Sequence, residues 1–324
     1  MDVILPVAGF GTRLRPQTWS KPKPLVGLAG KPMLAHVLDR VMPADPEQLI
    51  FITGFLGQQI EEWARSQYEL PMAFIEQPEM LGQTDAIIRT REHVHGDALI
   101  LFPDMIFEAD FTSLCSTDAD AVMFTKEVED PSALGVAVVE GDRITKLVEK
   151  PQEPISNLAV IGIYYVKRMD TLFEAIEEQI AKGIKTKGEY FIADAFQLMI
   201  DAGAKIVTAP VTAWEDCGNA EALLGTNKYL LDRMSPSTPA LDGVTVVQPS
   251  YVSENAVLER AVIGPYASVG DGVTVRDAVL SDVILEDDAT IQGTVLTHSI
   301  VGRGASVTGH PARINAGDLT DIAL

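Results

Sequence analysis

The chain has 324 residues, 47% of them hydrophobic, and a net charge of −21. That length predicts one large domain plus a smaller one, and the apolar content excludes a disordered chain. The acidic balance argues against a nucleic-acid or anionic-membrane partner, and no apolar run approaches the ~18 residues of a transmembrane helix.

The first element is the apolar run Val3-Ile4-Leu5-Pro6-Val7, which reads as a buried strand. Ala8-Gly9-Phe10-Gly11-Thr12 follows it directly. Glycines just past a strand let the backbone turn tightly and bring its N–H groups up to a ligand. Residues 1–34 carry Arg13, Arg15, Lys21, Lys23 and Lys31 against one acidic side chain, Asp2. A basic, glycine-turned loop in so acidic a protein points to a small polyanion, and a nucleoside triphosphate is the obvious candidate. The loop is not the Walker pattern, and Leu14 removes the last glycine of G-x-G-x-x-G.

Further apolar runs at Leu49–Thr53, Ala73–Glu76, Ala98–Phe102, Ala121–Thr125 and Val136–Val139 read as strands. Met33–Met42 and Gln58–Tyr68 carry helical spacing between them. This alternation predicts a doubly wound, mostly parallel sheet, whose ligands sit beyond the carboxyl ends of the strands. Asp170 reads as an N-cap for a helix with Leu172, Phe173, Ile176 and Ile180 on one face. Glu189–Ala202 is a further helical stretch, and Asn219 reads as the cap of Ala220–Leu231. Met234-Ser235-Pro236-Ser237-Thr238-Pro239 is the best linker in the chain. Cys115 and Cys217 form no CxxC, and both are expected as buried packing residues of a reduced, cytoplasmic protein without a signal peptide.

After the linker the period changes to six. Val257, Ile263, Val269 and Val275 form one tract, Val279, Leu285 and Ile291 a second, and Val295, Val301 and Val307 a third. A six-residue apolar period predicts a parallel β-helix, with short looped insertions at 275–279 and 291–295. The stretch resembles the hexapeptide-repeat, left-handed β-helix. The expected organisation is a catalytic domain over 1–233, a linker over 234–243, a short left-handed parallel β-helix over 244–310, and a tail over 311–324.

The string Gly9-x-Gly11-Thr12-Arg13-Leu14-x-Pro16-x-Thr18, then Pro22-Lys23-Pro24-Leu25 and Gly30-Lys31-Pro32-Met33, resembles the signature of the sugar-1-phosphate nucleotidyltransferases. That resemblance implies a Rossmann-like first domain and the reaction of a nucleoside triphosphate with a sugar 1-phosphate to give an NDP-sugar and pyrophosphate. It implies that Ala8, Gly9, Gly11 and Thr12 cradle the nucleotide, and that Arg13 and Lys23 neutralise the departing phosphates. Gln77 and Gly82, in Gln77-Pro78-Glu79-Met80-Leu81-Gly82, stand where the family reads the base. A Gln amide can read a pyrimidine imide with donor and acceptor together. Gln83-Thr84-Asp85 departs from the family pattern at the pocket floor.

Asp104 ends an apolar run, as a carboxylate aimed into a strand-end crevice would. Asp216 lies in Trp214-Glu215-Asp216-Cys217-Gly218, which resembles the family's W-x-D-x-G. The resemblance assigns both to a Mg²⁺ site. Glu149-Lys150-Pro151 resembles E-K-P, which gives Lys150 the phosphate of the sugar 1-phosphate and Glu149 a sugar hydroxyl. Gly135, Val160 and Glu189 fall at further sugar-side positions, although Leu134 replaces the usual aromatic before Gly135.

The long form with a β-helix tail resembles glucose-1-phosphate thymidylyltransferases, whereas Pro103-Asp104 leans toward UDP-glucose pyrophosphorylases. The favoured substrates are dTTP or UTP with glucose 1-phosphate. The alternatives are a mannose-1-phosphate guanylyltransferase, a non-catalytic regulatory or scaffold subunit, and a bifunctional enzyme using His298 or His310 in acyl transfer. A homo-oligomer is expected.

Overall fold

The structure, a computed structural model, describes residues 1–234 and 242–309. The core of the expected linker, the tail over 311–324 and His310 lie outside the described residues. The chain divides into two compact units. The first comprises 1–26 and 31–226; the second comprises 27–30 and 227–324.

The first unit is built on a nine-stranded sheet. Its first strand, Asp2–Pro6, lies between Gln48–Thr53 and Ala98–Leu101 and pairs parallel with both. Val3, Ile4 and Leu5 are fully buried, which is why this segment has no polar alternation: both faces of a central parallel strand are covered. Met72–Glu76 adds a further parallel strand beyond Gln48–Thr53. On the other side Leu158–Val166 runs antiparallel to Ala98–Leu101 and to Ala121–Glu127. The sheet is therefore mixed, with its parallel part around the first strand. Gly162, at φ +82°, interrupts the pairing of Leu158–Val166, and the Phe102 N–H donates to its carbonyl at 3.0 Å.

The helix Met33–Val41 buries Met33, Leu34, Val37, Leu38 and Val41, the 3.6-residue stripe read from the sequence. Two helical expectations need correction. Asp170 does not cap; the helix spans Met169–Lys182, Arg168 precedes it, and Asp170 lies in its first turn. Ile180 is exposed, and the buried face continues instead through Gln179, whose Nε2 donates to the Phe191 carbonyl at 2.9 Å. The Glu189–Ala202 stretch is helical only over Ile192–Asp201. Asn219 does cap Ala220–Leu231, accepting the Ala222 N–H at 3.0 Å. Cys115 is exposed rather than buried, while Cys217 is buried.

The second unit is a parallel sheet in which the chain repeatedly pairs with itself. Val257 pairs with Thr274, Thr274 with Thr290, and Thr290 with Ser306, steps of 17, 16 and 16 residues. Its interior is lined by Ala261, Ile263, Ala267, Val269, Val273, Val275, Ala278, Leu280, Val283, Leu285, Ala289 and Ile291. The looped insertions expected at 275–279 and 291–295 are thus omissions. The next inward residue after Val275 is Ala278, within one strand spanning Thr274–Leu285, so each circuit is one or two residues short of three sixes. As a result Val257, Val279 and Val295 point outward, at 46%, 43% and 70% exposure. Asp277 and Asp282 turn the corners at φ +52° and +53°. Residues 27–30 belong to this unit: the Gly27 N–H donates to Glu286 Oε1 at 2.7 Å and the Ala29 N–H to Asn227 Oδ1 at 2.9 Å. Among the described residues no helix is long and apolar enough to cross a membrane.

Candidate active site

The carboxyl ends of the parallel strands in the first unit open into a cleft of about 390 Å³. Pro6, Val7, Ala8, Gly9, Gly11 and Thr12 form one wall, directly after the first strand. Gly11 takes φ +60°, and a Cβ there would lie 3.0 Å from Lys23 Cβ and 3.1 Å from Thr18 Cγ2. Glycine is therefore what lets the Lys23 stem approach the loop, and Thr18 Oγ1 locks the turn by donating to the Gly11 carbonyl at 2.8 Å. Arg13 and Lys23 both line the cleft. Lys23 Nζ forms an ion pair with Asp104 Oδ2 at 3.0 Å.

Asp104 lies three residues past the strand Ala98–Leu101, after Phe102 and Pro103, and all three line the cleft. Asp216 ends the strand Ala213–Asp216, paired across from Met105, and the Cys217 N–H donates to the Asp104 carbonyl at 3.1 Å. Asp104 thus immediately precedes the strand Met105–Glu108, and Asp216 ends its antiparallel partner; Asp104 lines the cleft, whereas Asp216 is not among the lining residues. Asp216 is held at both ends: Thr226 Oγ1 donates to its carbonyl at 2.8 Å, and its Oδ1 accepts the Gly218 N–H at 2.9 Å. A Cβ on Gly218 would lie 2.9 Å from Asp216 Oδ2 and 3.3 Å from Arg13 Nη1, which puts the Arg13 guanidinium beside the same segment. Cys217 between them is chemically quiet, because burial pushes its thiol up to about 12.

The end of the cleft beyond Met72–Glu76, two strands from the first strand and on the side away from Ala98–Leu101, is lined by Gln77, Met80, Gly82, Gln83 and Ala86. Gly82 takes φ +127° and runs against the Tyr190 backbone. Gln77 is buried, at 5% exposure, and its Nε2 donates to the Gly82 carbonyl at 3.2 Å and to Asp85 Oδ2 at 3.0 Å. Glu189 lines this cleft as well. Pro103 and Gln83 line the cleft although the sequence assigns neither a role, and Asp85, read with Gln83 at the pocket floor, reaches it through Gln77. Gly218, the last residue of the W-x-D-x-G string, lines the cleft too.

The remaining sugar-side candidates lie elsewhere. Gly135, Glu149 and Val160 line a smaller cavity of about 20 Å³ with Tyr164. Gly135 pairs with Glu149 and with Val160 across neighbouring strands, and a Cβ on Gly135 would lie 2.8 Å from Glu149 Oε2. Phe102 of the cleft packs edge-on against Tyr164 of this cavity, centroids 6.4 Å apart. Lys150 takes φ +48° and lines neither space; its Nζ sits 4.9 Å from the Phe191 ring and 3.6 Å from Glu149 Oε1.

Burial pushes the Glu149 carboxyl above its ordinary value of 4.5, against the pull of Lys150. A raised carboxyl holds its proton more tightly folded than unfolded, so its contribution is present below the ordinary value and is lost as pH rises through the folded one. Glu149→Gln removes that loss. Chemical denaturation of both proteins from about pH 4.5 upward is expected to show wild type losing stability relative to the Gln variant. Parallel profiles would show that the carboxyl is solvated.

Residues 2–233 match the family model described as nucleotidyl transferase. The chain belongs to the nucleotidyl transferase family. Among its relatives, the chain is 28% identical over 338 residues to glucose-1-phosphate thymidylyltransferase of Streptomyces antibioticus, covering 95% of this chain and 94% of that one. It is 31% identical over 265 residues to bifunctional protein GlmU of Methanocaldococcus jannaschii; the match covers 81% of this nucleotidyl transferase and only 60% of the relative's length. Among solved structures, a UDP-glucose pyrophosphorylase complexed with UDP-glucose shares the fold at a TM-score of 0.64 and 23% identity, over 72% of this chain and 99% of that one.

Proposed function

We propose that this nucleotidyl transferase joins a nucleoside triphosphate, dTTP or UTP, to a sugar 1-phosphate, glucose 1-phosphate in the favoured case, releasing pyrophosphate. The observation that carries this reading is one cleft with two chemical ends. Cationic Arg13 and Lys23 stand beside a glycine-turned loop at one, and the amide of Gln77 with the Gly82 backbone stands at the other. That is the polarity of a nucleotide, phosphates at one end and base at the other. The thymidylyltransferase relative and the UDP-glucose pyrophosphorylase fold support a pyrimidine nucleotide.

In this reading the N–H groups of the Ala8–Thr12 loop and the Arg13 and Lys23 side chains bind the triphosphate and offset its charge. By the resemblance Lys150 and Glu149 would orient the sugar phosphate with Gly135 and Val160 at the sugar; here they stand outside the cleft, next to it across the Phe102–Tyr164 contact, and Glu189 is the sugar-side candidate that lines the cleft. Asp104 and Asp216 would hold Mg²⁺. Their donor set is oxygen only and comes from one strand end and the residue that precedes its partner strand, which fits a hard cation completed by water and phosphate oxygens. When bound, the cation supplies positive charge at the α-phosphate during displacement. The second unit, with its inward apolar pairs and 16–17-residue circuits, supports a C-terminal β-helix within this reading.

Pyrophosphate release, measured with Mg²⁺ across dTTP, UTP, GTP, CTP and ATP against glucose, mannose, galactose and N-acetylglucosamine 1-phosphates, tests the proposal. A dominant pair with dTTP or UTP and glucose 1-phosphate is expected. A GTP and mannose 1-phosphate maximum would move the assignment to the guanylyl branch, and no release from any pair by folded protein would overturn catalysis.

A further inference from the structure

The base end of the cleft contains an arrangement that the family resemblance did not supply. Gln77 and Gln83 both line it, and each amide is half committed to the protein. Both Gln77 hydrogen bonds use Nε2, one to the Gly82 carbonyl and one to Asp85 Oδ2. Those two acceptors can only receive, so turning the amide over would set Oε1 against a carbonyl and a carboxylate. The orientation of Gln77 is therefore fixed by its partners. Among the described residues no donor reaches Gln77 Oε1, which leaves an acceptor as its remaining polar atom.

Gln83 has the reverse commitment. Its Oε1 accepts the Ile192 N–H at 3.1 Å, so the remaining polar atoms of that amide are donors. Asp85 is itself clamped by Arg89, with Nη2 to Oδ1 at 3.1 Å and Nε to Oδ2 at 3.3 Å one helical turn away. An ionised, doubly held carboxylate is a pure acceptor with little freedom to turn.

We infer that Asp85 is a positioning residue for base selection: it holds the Gln77 amide so that the cleft offers an acceptor from Gln77 and a donor from Gln83. This rests on the nucleotide reading of the cleft. A base that complements the pair carries a ring N–H beside a carbonyl. Uracil, thymine and guanine have that edge. Cytosine and adenine carry a bare ring nitrogen where these bases carry the ring N–H, so a base held in the same register by its ribose would set acceptor against acceptor at Gln77. Sites that pair with a polar edge reject the unpaired analogue strongly, because a buried group is then left unsatisfied.

The test is equilibrium binding of UTP, dTTP, GTP, CTP and ATP with Mg²⁺ to wild type, Asp85→Ala and Asp85→Asn. Asp85→Asn keeps the side-chain volume, and its amide can donate to Gln77 Oε1, so it covers the case in which Asp85→Ala fails to fold. Wild type is expected to bind the N–H bases at least ~100-fold more tightly than CTP and ATP, and each variant to narrow that ratio about tenfold, the effect of one hydrogen bond. The ratio is the readout, because a merely structural role for Asp85 would weaken all five ligands together. Equal wild-type binding of UTP and CTP, or an unchanged ratio in a folded variant, overturns the inference and leaves the nucleotide reading intact. No binding of any triphosphate by wild type overturns both.

Discussion

Asp104→Asn is expected to lower pyrophosphate release by about 10²–10³ while leaving the protein folded. The folded state survives because the Asp104 side chain is about half exposed, at 48%, and carries no buried packing. Activity is lost for two reasons at one atom. The carboxylate is one of two proposed cation ligands, and it is also the partner that holds Lys23 Nζ at 3.0 Å. An amide is neutral, so it is a weak ligand for a hard cation and no counter-ion for a lysine. The measurement is initial rate against Mg²⁺ concentration, with circular dichroism as the folding control. A rate within threefold of wild type at every Mg²⁺ concentration would remove Asp104 from the chemistry.

Gly82→Ala is expected to cost about 2–4 kcal/mol of unfolding free energy and to lower nucleotide affinity with it. Gly82 combines φ +127° with no room, since a Cβ there would lie 2.5 Å from both the N and the O of Tyr190. Neither is the end of a flexible side chain that could swing aside. Both belong to backbone bridged to Gly82 itself, so accommodating a methyl must part the two segments. That movement shifts the Gly82 carbonyl from Gln77, which links the stability loss to the base end of the cleft. Urea denaturation and nucleotide titration read the two effects. A variant matching wild type in both would show that the Tyr190 segment yields freely. Gly141→Ala is the control, because its φ of +64° is also positive but nothing lies within 4 Å of its Cβ.

The parallel centre of the first unit was legible because buried strands and glycine turns are local patterns. Val3–Leu5 has no polar residue to interrupt it, and Gly11 and Lys23 sit in one short string. The cleft residues Arg13, Gln77 and Asp104 were legible through motifs, and the structure brings them to one space. What was not legible depends on how distant segments meet. Asp85 gains its significance from an amide eight residues earlier, and Gln83 from an N–H at Ile192. Ile180 fits the helical stripe, yet the cover on that turn reaches Gln179 and not Ile180, because a stripe predicts a face and not how far its cover extends. The six-residue period predicted the inward positions at Ile263, Val269 and Val275, and failed at Val279, where one omitted residue turns the side chain outward. A period of two along each strand makes any single omission reverse the face.

The membership of residues 27–30 in the second unit bears on the timing of synthesis. Glu286 and Asn227, which accept the Gly27 and Ala29 N–H groups, emerge long after those groups do. The separations are 198 positions for Ala29 and 259 for Gly27, so the wait is at least about 10–40 s of elongation at ~5–20 residues per second. For that interval the two amides must be kept by water, and no nascent chain can finish the second unit before its last coils have been made. The same order constrains gene fusions. A chimera that grafts a relative's C-terminal portion onto residues 1–226 keeps the Gly27 and Ala29 N–H groups and removes Glu286 and Asn227, their acceptors. Residues 27–30 have to travel with the graft.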